Sequence, residues 1–131
     1  MDVFVYGTLT DRDTAAAVLG SVEYAGRAVI DGLHRVEGTY PTLLPGGTVE
    51  GRVLVTEDVA ALDRYEGVDR GLYTRVEIPS RTGVPLATYV GDPGRLDIDE
   101  DWPGTGSFER QVRAYVDNYD VTARRLSESE P

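Results

Sequence analysis

The chain of 131 residues contains no cysteine, no lysine and a single histidine, His34. Without cysteine there is no disulfide, no thiolate nucleophile and no sulfur-ligated metal. One histidine cannot make a histidine-rich centre, so neither a metal nor another cofactor is expected. The missing lysine also removes the phosphate-binding P-loop, whose motif requires one. No run of about 18 apolar residues occurs, which leaves no candidate membrane helix. The N-terminus enters an extended apolar segment almost at once, where a signal peptide would carry a basic leader. A soluble, cytoplasmic protein is expected.

Positive charge is scarce: 13 arginines face 23 aspartates and glutamates, for a formal net charge of −10. Such a surface repels phosphate backbones, so no nucleic acid is expected as a partner. Excess acid without lysine suits a protein working at high salt, where screening reduces self-repulsion. GC-rich codon usage combined with an ordinary acidic surface accounts for it equally well. The length supports one domain with one core, expected over residues 1–122. The tail, residues 123–131, has few apolar groups and is expected to fray.

Within that domain the sequence alternates short extended and helical segments. After an opening strand, Asp11 to Leu19 reads as a helix stopped by Gly20. Val22 to Ile30, Leu33 to Val36 and Thr39 to Leu44 read as extended, with Tyr40-Pro41 marking an edge or bend. Pro45-Gly46-Gly47 reads as a turn before Thr48 to Val55 resumes the sheet. A helix from Thr56 as N-cap to about Tyr65 would bury Val59, Leu62 and Tyr65 and end at Gly67. Leu72 to Ile78 and Val84 to Val90 suggest a hairpin. A polar loop with the sole tryptophan, Trp102, precedes a helix over Ser107 to Tyr119 that carries Phe108, Val112, Tyr115, Val116 and Tyr119 on one stripe. The pattern is α+β with a mixed sheet.

Two segments carry chemistry. Val3 to Thr10 is a buried strand running into a glycine loop and then a helix, a junction whose free N–H groups can hold a carboxylate or an oxyanion. Gly7 lets the backbone approach a ligand closely. The second segment, Leu62 to Val68, puts Glu66 in the last turn of a helix, where the helix field opposes a negative charge by about 0.3–1 kcal/mol. That field and any burial would raise its pKa and make it a better proton acceptor near neutrality. A solvated glutamate paired with Arg64 or Arg70 would leave the same trace in sequence.

Together these segments resemble the gamma-glutamylcyclotransferase-like family, in its small branch that includes gamma-glutamylamine cyclotransferases. The matching pieces are Tyr6-Gly7-Thr8-Leu9 after an N-terminal strand, Tyr40-Pro41, Leu62-Asp63 with Tyr65-Glu66, and Tyr73-Thr74-Arg75. The resemblance runs from about Val3 to Val90, with a looser echo at Asp101-Trp102. It implies a mixed sheet curled into a partial barrel with a few flanking helices. It also implies a gamma-glutamyl substrate cradled by Tyr6, Gly7, Thr8 and Leu9, with Glu66 as general acid and base. Tyr40 and Tyr73 would be pocket walls with hydroxyls available to the substrate, and Arg75 a partner for a substrate carboxylate. The implied reaction is an intramolecular acyl transfer that releases 5-oxoproline and an amine or amino acid. Thr8-Leu9 departs from the serine-asparagine pair of the branch acting on free gamma-glutamyl amino acids or glutathione, which leaves the departing amine open. Removal of a gamma-glutamyl group from a secondary metabolite uses the same chemistry. A non-catalytic module that binds a metabolite or a protein through the same pocket is the alternative.

Asp97-x-Asp99-Glu100-Asp101 imitates a calcium loop, but Trp102 takes the place of the sixth-position glycine and Phe108 that of the closing glutamate. It reads as a solvated acidic loop, and His34 as a strand residue.

Overall fold

The computed structural model describes residues 1–81 and 83–126. Its elements are β1 (Asp2–Val5), α1 (Arg12–Leu19), β2 (Tyr24–Val36), β3 (Thr42–Val55), α2 (Val59–Glu66), β4 (Tyr73–Ile78), β5 (Leu86–Gly91), α3 (Phe108–Asn118) and β6 (Thr122–Arg125). Short 3₁₀ turns lie at Thr8–Thr10, Val68–Arg70 and Pro93–Leu96. The strands form one sheet ordered β4-β5-β1-β3-β2-β6. It is mixed, since β1 runs antiparallel to β3 and parallel to β5.

From Val3 to Val5 β1 is apolar because both of its faces are covered there. Val3 and Val5 join Leu54, Leu62 and Ala15 on the side packed by α1 and α2. Phe4 and Tyr6 join Ile30, Leu33 and Val53 in the core closed by Trp102, Val112 and Val116. The period-two alternation of a strand divides the run between two cores. Trp102 is 3% exposed, and its ring meets Tyr115 and Phe108 edge to face.

The sheet curls until its edges approach. Ser80, just past β4, bridges Ala123 of β6, and the Ala123 N–H donates to the Pro79 carbonyl at 2.8 Å. The expected α+β fold with a curled mixed sheet is therefore found as a half-barrel carrying three α-helices among the described residues. None of these helices is long and apolar enough to cross a membrane.

Several boundaries differ from the sequence reading. The expected turn at Pro45-Gly46-Gly47 is a bulge inside one long strand: Leu33 pairs with Pro45, and Asp31 pairs with Thr48. Gly46 and Gly47 have φ of 100° and 73°, conformations open to glycine, so β3 bends without breaking. For the same reason the extended segments from Val22 to Val36 merge into β2. The N-cap of α2 is Asp58, whose carboxylate accepts from the Ala61 N–H at 3.2 Å, rather than Thr56. Leu62 is buried, but Tyr65 and Tyr119 are 41% and 63% exposed, because each sits at a helix end where the core has run out. Residues 123–125, expected to fray, lie in β6. That strand pairs with β2, and Arg125 binds Asp2 at 2.6 Å. The Leu126 N–H reaches the Arg27 carbonyl at 2.9 Å. Few apolar groups suffice there, since ladder hydrogen bonds and buried Ala123 hold the segment. The expectation for residues 127–131 lies outside the described residues.

Candidate active site

Where β1 ends, Tyr6 to Leu9 pass over the sheet edge as a loop whose carbonyls are held from outside. The Tyr6 carbonyl accepts from Arg35 Nη1 at 2.7 Å, that of Leu9 from the Tyr24 hydroxyl at 2.6 Å and that of Thr10 from Arg52 Nη1 at 2.9 Å. The Gly7 carbonyl accepts from the Thr10 hydroxyl at 2.6 Å and the Thr10 N–H at 3.0 Å. The N–H groups of Gly7, Thr8 and Leu9 find no acceptor among the described residues. Such an arrangement immobilises the loop and leaves its donors open to a ligand. Gly7 packs so closely that a Cβ there would stand 3.3 Å from Pro41 Cγ.

The second wall comes from α2. Its last residue is Glu66, and Gly67 stops the helix in the left-handed conformation. Glu66 is partly buried, and that burial pushes its carboxyl from 4.5 up to about 7. No cation lies within ion-pair distance of it among the described residues, Arg64 and Arg70 included. The tyrosines around it are held neutral. Burial raises Tyr6 well above its ordinary value, helped by Tyr73 and Glu66. Burial and then Glu66 raise Tyr73 in the same way. The Tyr6 hydroxyl donates to the Tyr89 carbonyl at 2.5 Å.

These elements enclose a cavity of about 230 Å³ lined by Tyr6, Gly7, Thr8, Leu9, Tyr40, Glu66 and Tyr73, all of them singled out in the sequence. Phe4, Val5, Pro41, Tyr65, Arg70, Leu72 and Tyr89 complete the lining. Two details differ from expectation. The Tyr73 hydroxyl is engaged, donating to the Pro41 carbonyl at 2.6 Å, so it holds the Tyr40-Pro41 wall in place. Arg75 does not point a free guanidinium at the site. It binds both oxygens of Asp63 at 2.9 and 2.8 Å, and Asp63 also accepts from the Tyr89 hydroxyl at 2.7 Å. That ion pair stands behind the Tyr89 wall.

Among the lining residues that sequence reasoning passed over, Tyr65 had a readable signal beside Glu66 but was assigned to a buried helix face. Its hydroxyl instead bonds Thr8 Oγ1 at 2.8 Å, joining the loop to the helix that carries Glu66. Tyr89 carried no signal, being one apolar-run aromatic among several.

A family model described as "Gamma-glutamyl cyclotransferase, AIG2-like" matches residues 3–110. The chain belongs to this family. Membership in the gamma-glutamyl cyclotransferase, AIG2-like family spans every residue placed around the cavity. "AIG2-like protein C" of Arabidopsis thaliana is 41% identical over 116 residues, covering 76% of this chain and 67% of that protein. A solution structure of an Arabidopsis thaliana protein is 28% identical with a TM-score of 0.54, over 90% of this chain and 84% of that one. A structure described as "Gamma-glutamyl cyclotransferase" superposes with a TM-score of 0.59 at 19% identity, a likeness of fold. It covers 70% of this chain, which spans 66% of that structure's length.

Proposed function

We propose that this protein catalyses an intramolecular acyl transfer on a gamma-glutamyl compound. The substrate's α-amine attacks its own γ-carbonyl carbon, a C–N bond closes a five-membered lactam, and the bond to the departing amine breaks. The products are 5-oxoproline and the released amine or amino acid. Glu66 takes a proton from the attacking nitrogen and returns it to the leaving nitrogen, a role worth roughly 10² to 10⁴ in rate. The free N–H groups of Gly7, Thr8 and Leu9 receive the substrate carboxylate or the oxyanion. Holding the glutamyl chain curled for attack contributes on the order of 7–11 kcal/mol.

One observation carries this reading. A carboxyl raised to about 7 by burial, with no ion-pair partner among the described residues, shares a cavity with an N–H-rich loop some 60 positions away in sequence. Near neutrality such a group is divided between acid and base, which a proton shuttle requires. The cavity, at about 230 Å³, lies below the usual range of roughly 300–1,000 Å³ for ligand pockets and suits a compact headgroup. Tyr40 and Tyr73 shape its wall. Nothing in this chemistry calls for an oxidising compartment, and we place it in the cytoplasm.

The test is mass-spectrometric detection of 5-oxoproline from a panel of gamma-glutamyl amines, amino acids and peptides. At least one should be converted by the wild type and none by folded Glu66→Gln. Undiminished turnover in that variant refutes the role of Glu66, and a silent panel refutes the reaction.

A further inference from the structure

Among the described residues only two charged ones line the cavity, Glu66 and Arg70. Arg70 ends the 3₁₀ turn Val68–Arg70 between α2 and β4, and that turn is pinned. The Gly67 carbonyl accepts from the N–H groups of Arg70 and Leu72, each at 3.1 Å, and the Gly71 N–H donates to Val68 at 3.1 Å. The guanidinium folds back over the end of α2, since a Cβ on Gly67 would lie 2.7 Å from Arg70 Nη2. It is held beside the helix end that bears Glu66, yet it forms no ion pair with Glu66 or with any other carboxylate among the described residues.

Arg12, Arg52, Arg64, Arg95 and Arg110 also lack an ion pair among the described residues, but none of them lines the cavity. Seven other arginines find a carboxylate. Arg12 and Arg52 lie over the Tyr24 ring. Arg70 is the one arginine in the cavity wall, and it is exposed at the rim with Tyr40 and Tyr65, whereas Phe4, Val5 and Tyr6 are buried. A cyclising headgroup must sit among the buried residues near Glu66, and the departing group must leave across the rim. A planar guanidinium there matches the two oxygens of a carboxylate. It also offsets locally the repulsion that a net charge of −10 imposes on an anion.

We propose that Arg70 is a specificity-determining residue that reads a carboxylate on the departing amine, so that the substrates are gamma-glutamyl amino acids or peptides in preference to uncharged gamma-glutamyl alkylamines. This rests on the acyl-transfer reading given above.

The discriminating pair is gamma-glutamyl-alanine and gamma-glutamyl-ethylamine, which differ by that carboxylate alone. In the wild type the ratio of their kcat/KM values should favour the alanine compound by roughly 10- to 100-fold, the range of a charge-assisted hydrogen bond. In Arg70→Gln the ratio should fall towards one, chiefly through KM for gamma-glutamyl-alanine, and Arg70→Lys should restore part of it. Equal use of the two compounds by the wild type, or an equal fall for both in Arg70→Gln, overturns the assignment. The second result would put the glutamyl carboxylate on Arg70 instead. Should neither compound yield 5-oxoproline, the acyl-transfer reading stands or falls with the rest of the panel, and calorimetric titration of the wild type and Arg70→Gln with both compounds decides the fate of Arg70. Tighter binding of gamma-glutamyl-alanine that Arg70→Gln abolishes keeps the carboxylate site; equal binding, or none, removes it.

Discussion

Replacing Glu66 by Gln should stabilise the fold at pH 8 and leave it unchanged at acid pH, a consequence of where the carboxyl sits. Burial raises it from 4.5 to about 7, and at about 1.4 kcal/mol per tenfold change in proton affinity this corresponds to about 3 kcal/mol. Glu66 is only partly buried, so water screens some of this and the measured gain should fall at roughly 1–3 kcal/mol. The sign follows from proton linkage. Between pH 4.5 and 7 the folded state binds the Glu66 proton more tightly than the unfolded state, so its contribution is fully present below about 4.5 and is lost as pH rises through 7. Tyr6 and Tyr73, the groups that couple to Glu66, are held above their ordinary value of 10 and do not titrate in this window. Gln keeps the shape and carries no charge. The difference in unfolding free energy between variant and wild type should therefore be near zero at pH 4.5, grow through pH 6, and level off above pH 7.5. Urea melts followed by the fluorescence of buried Trp102, the sole tryptophan, would read it directly. Thermal melts should show the same trend, at about 3–5 °C per kcal/mol for a domain of this size. A pH-independent difference, or a variant less stable than wild type at pH 8, would refute the argument that desolvation sets the character of Glu66.

Thr42 is fully buried, and its Oγ1 accepts from the Gly91 N–H at 2.7 Å. Thr42→Val should leave that donor unpaired and cost roughly 1–3 kcal/mol, read as a lower urea midpoint at constant m-value. Gly51 has no room for a side chain, because a Cβ there would stand 2.3 Å from the Val5 carbonyl oxygen and 2.7 Å from Phe4 Cζ. Gly51→Ala should destabilise by roughly 1–3 kcal/mol or more, and a melting point equal to wild type would show that β1 and β3 can separate locally. With a net charge of −10, the thermal midpoint should rise as KCl screens the surface over the Debye length of about 10 Å at 0.1 M. Indifference to salt would remove the high-salt interpretation and leave codon usage as the source of the composition.

What the sequence determined by itself is whatever rests on a few consecutive residues. The apolar run of β1, the glycines that end α1 and α2, the hairpin of β4 and β5, and the placement of Glu66 at a helix terminus all come from local sterics and hydrogen bonding, as does the motif order that marks the family. The bulge at Gly46-Gly47 was less legible, since the same two glycines serve a turn or a kink and only the length of strand available to pair with β2 decides between them. The stripe positions Tyr65 and Tyr119 follow helical period but lie where the core has ended, and β6 has almost no apolar signature because pairing with β2 holds it. Tertiary structure alone decided the electrostatics of the site. Whether Glu66 meets an arginine or a dry wall, whether Arg75 faces a ligand or Asp63, and whether Arg70 is paired or free depend on which segments pack together. Desolvation and charge pairing act through space between residues tens of positions apart, and a linear sequence carries no record of that distance.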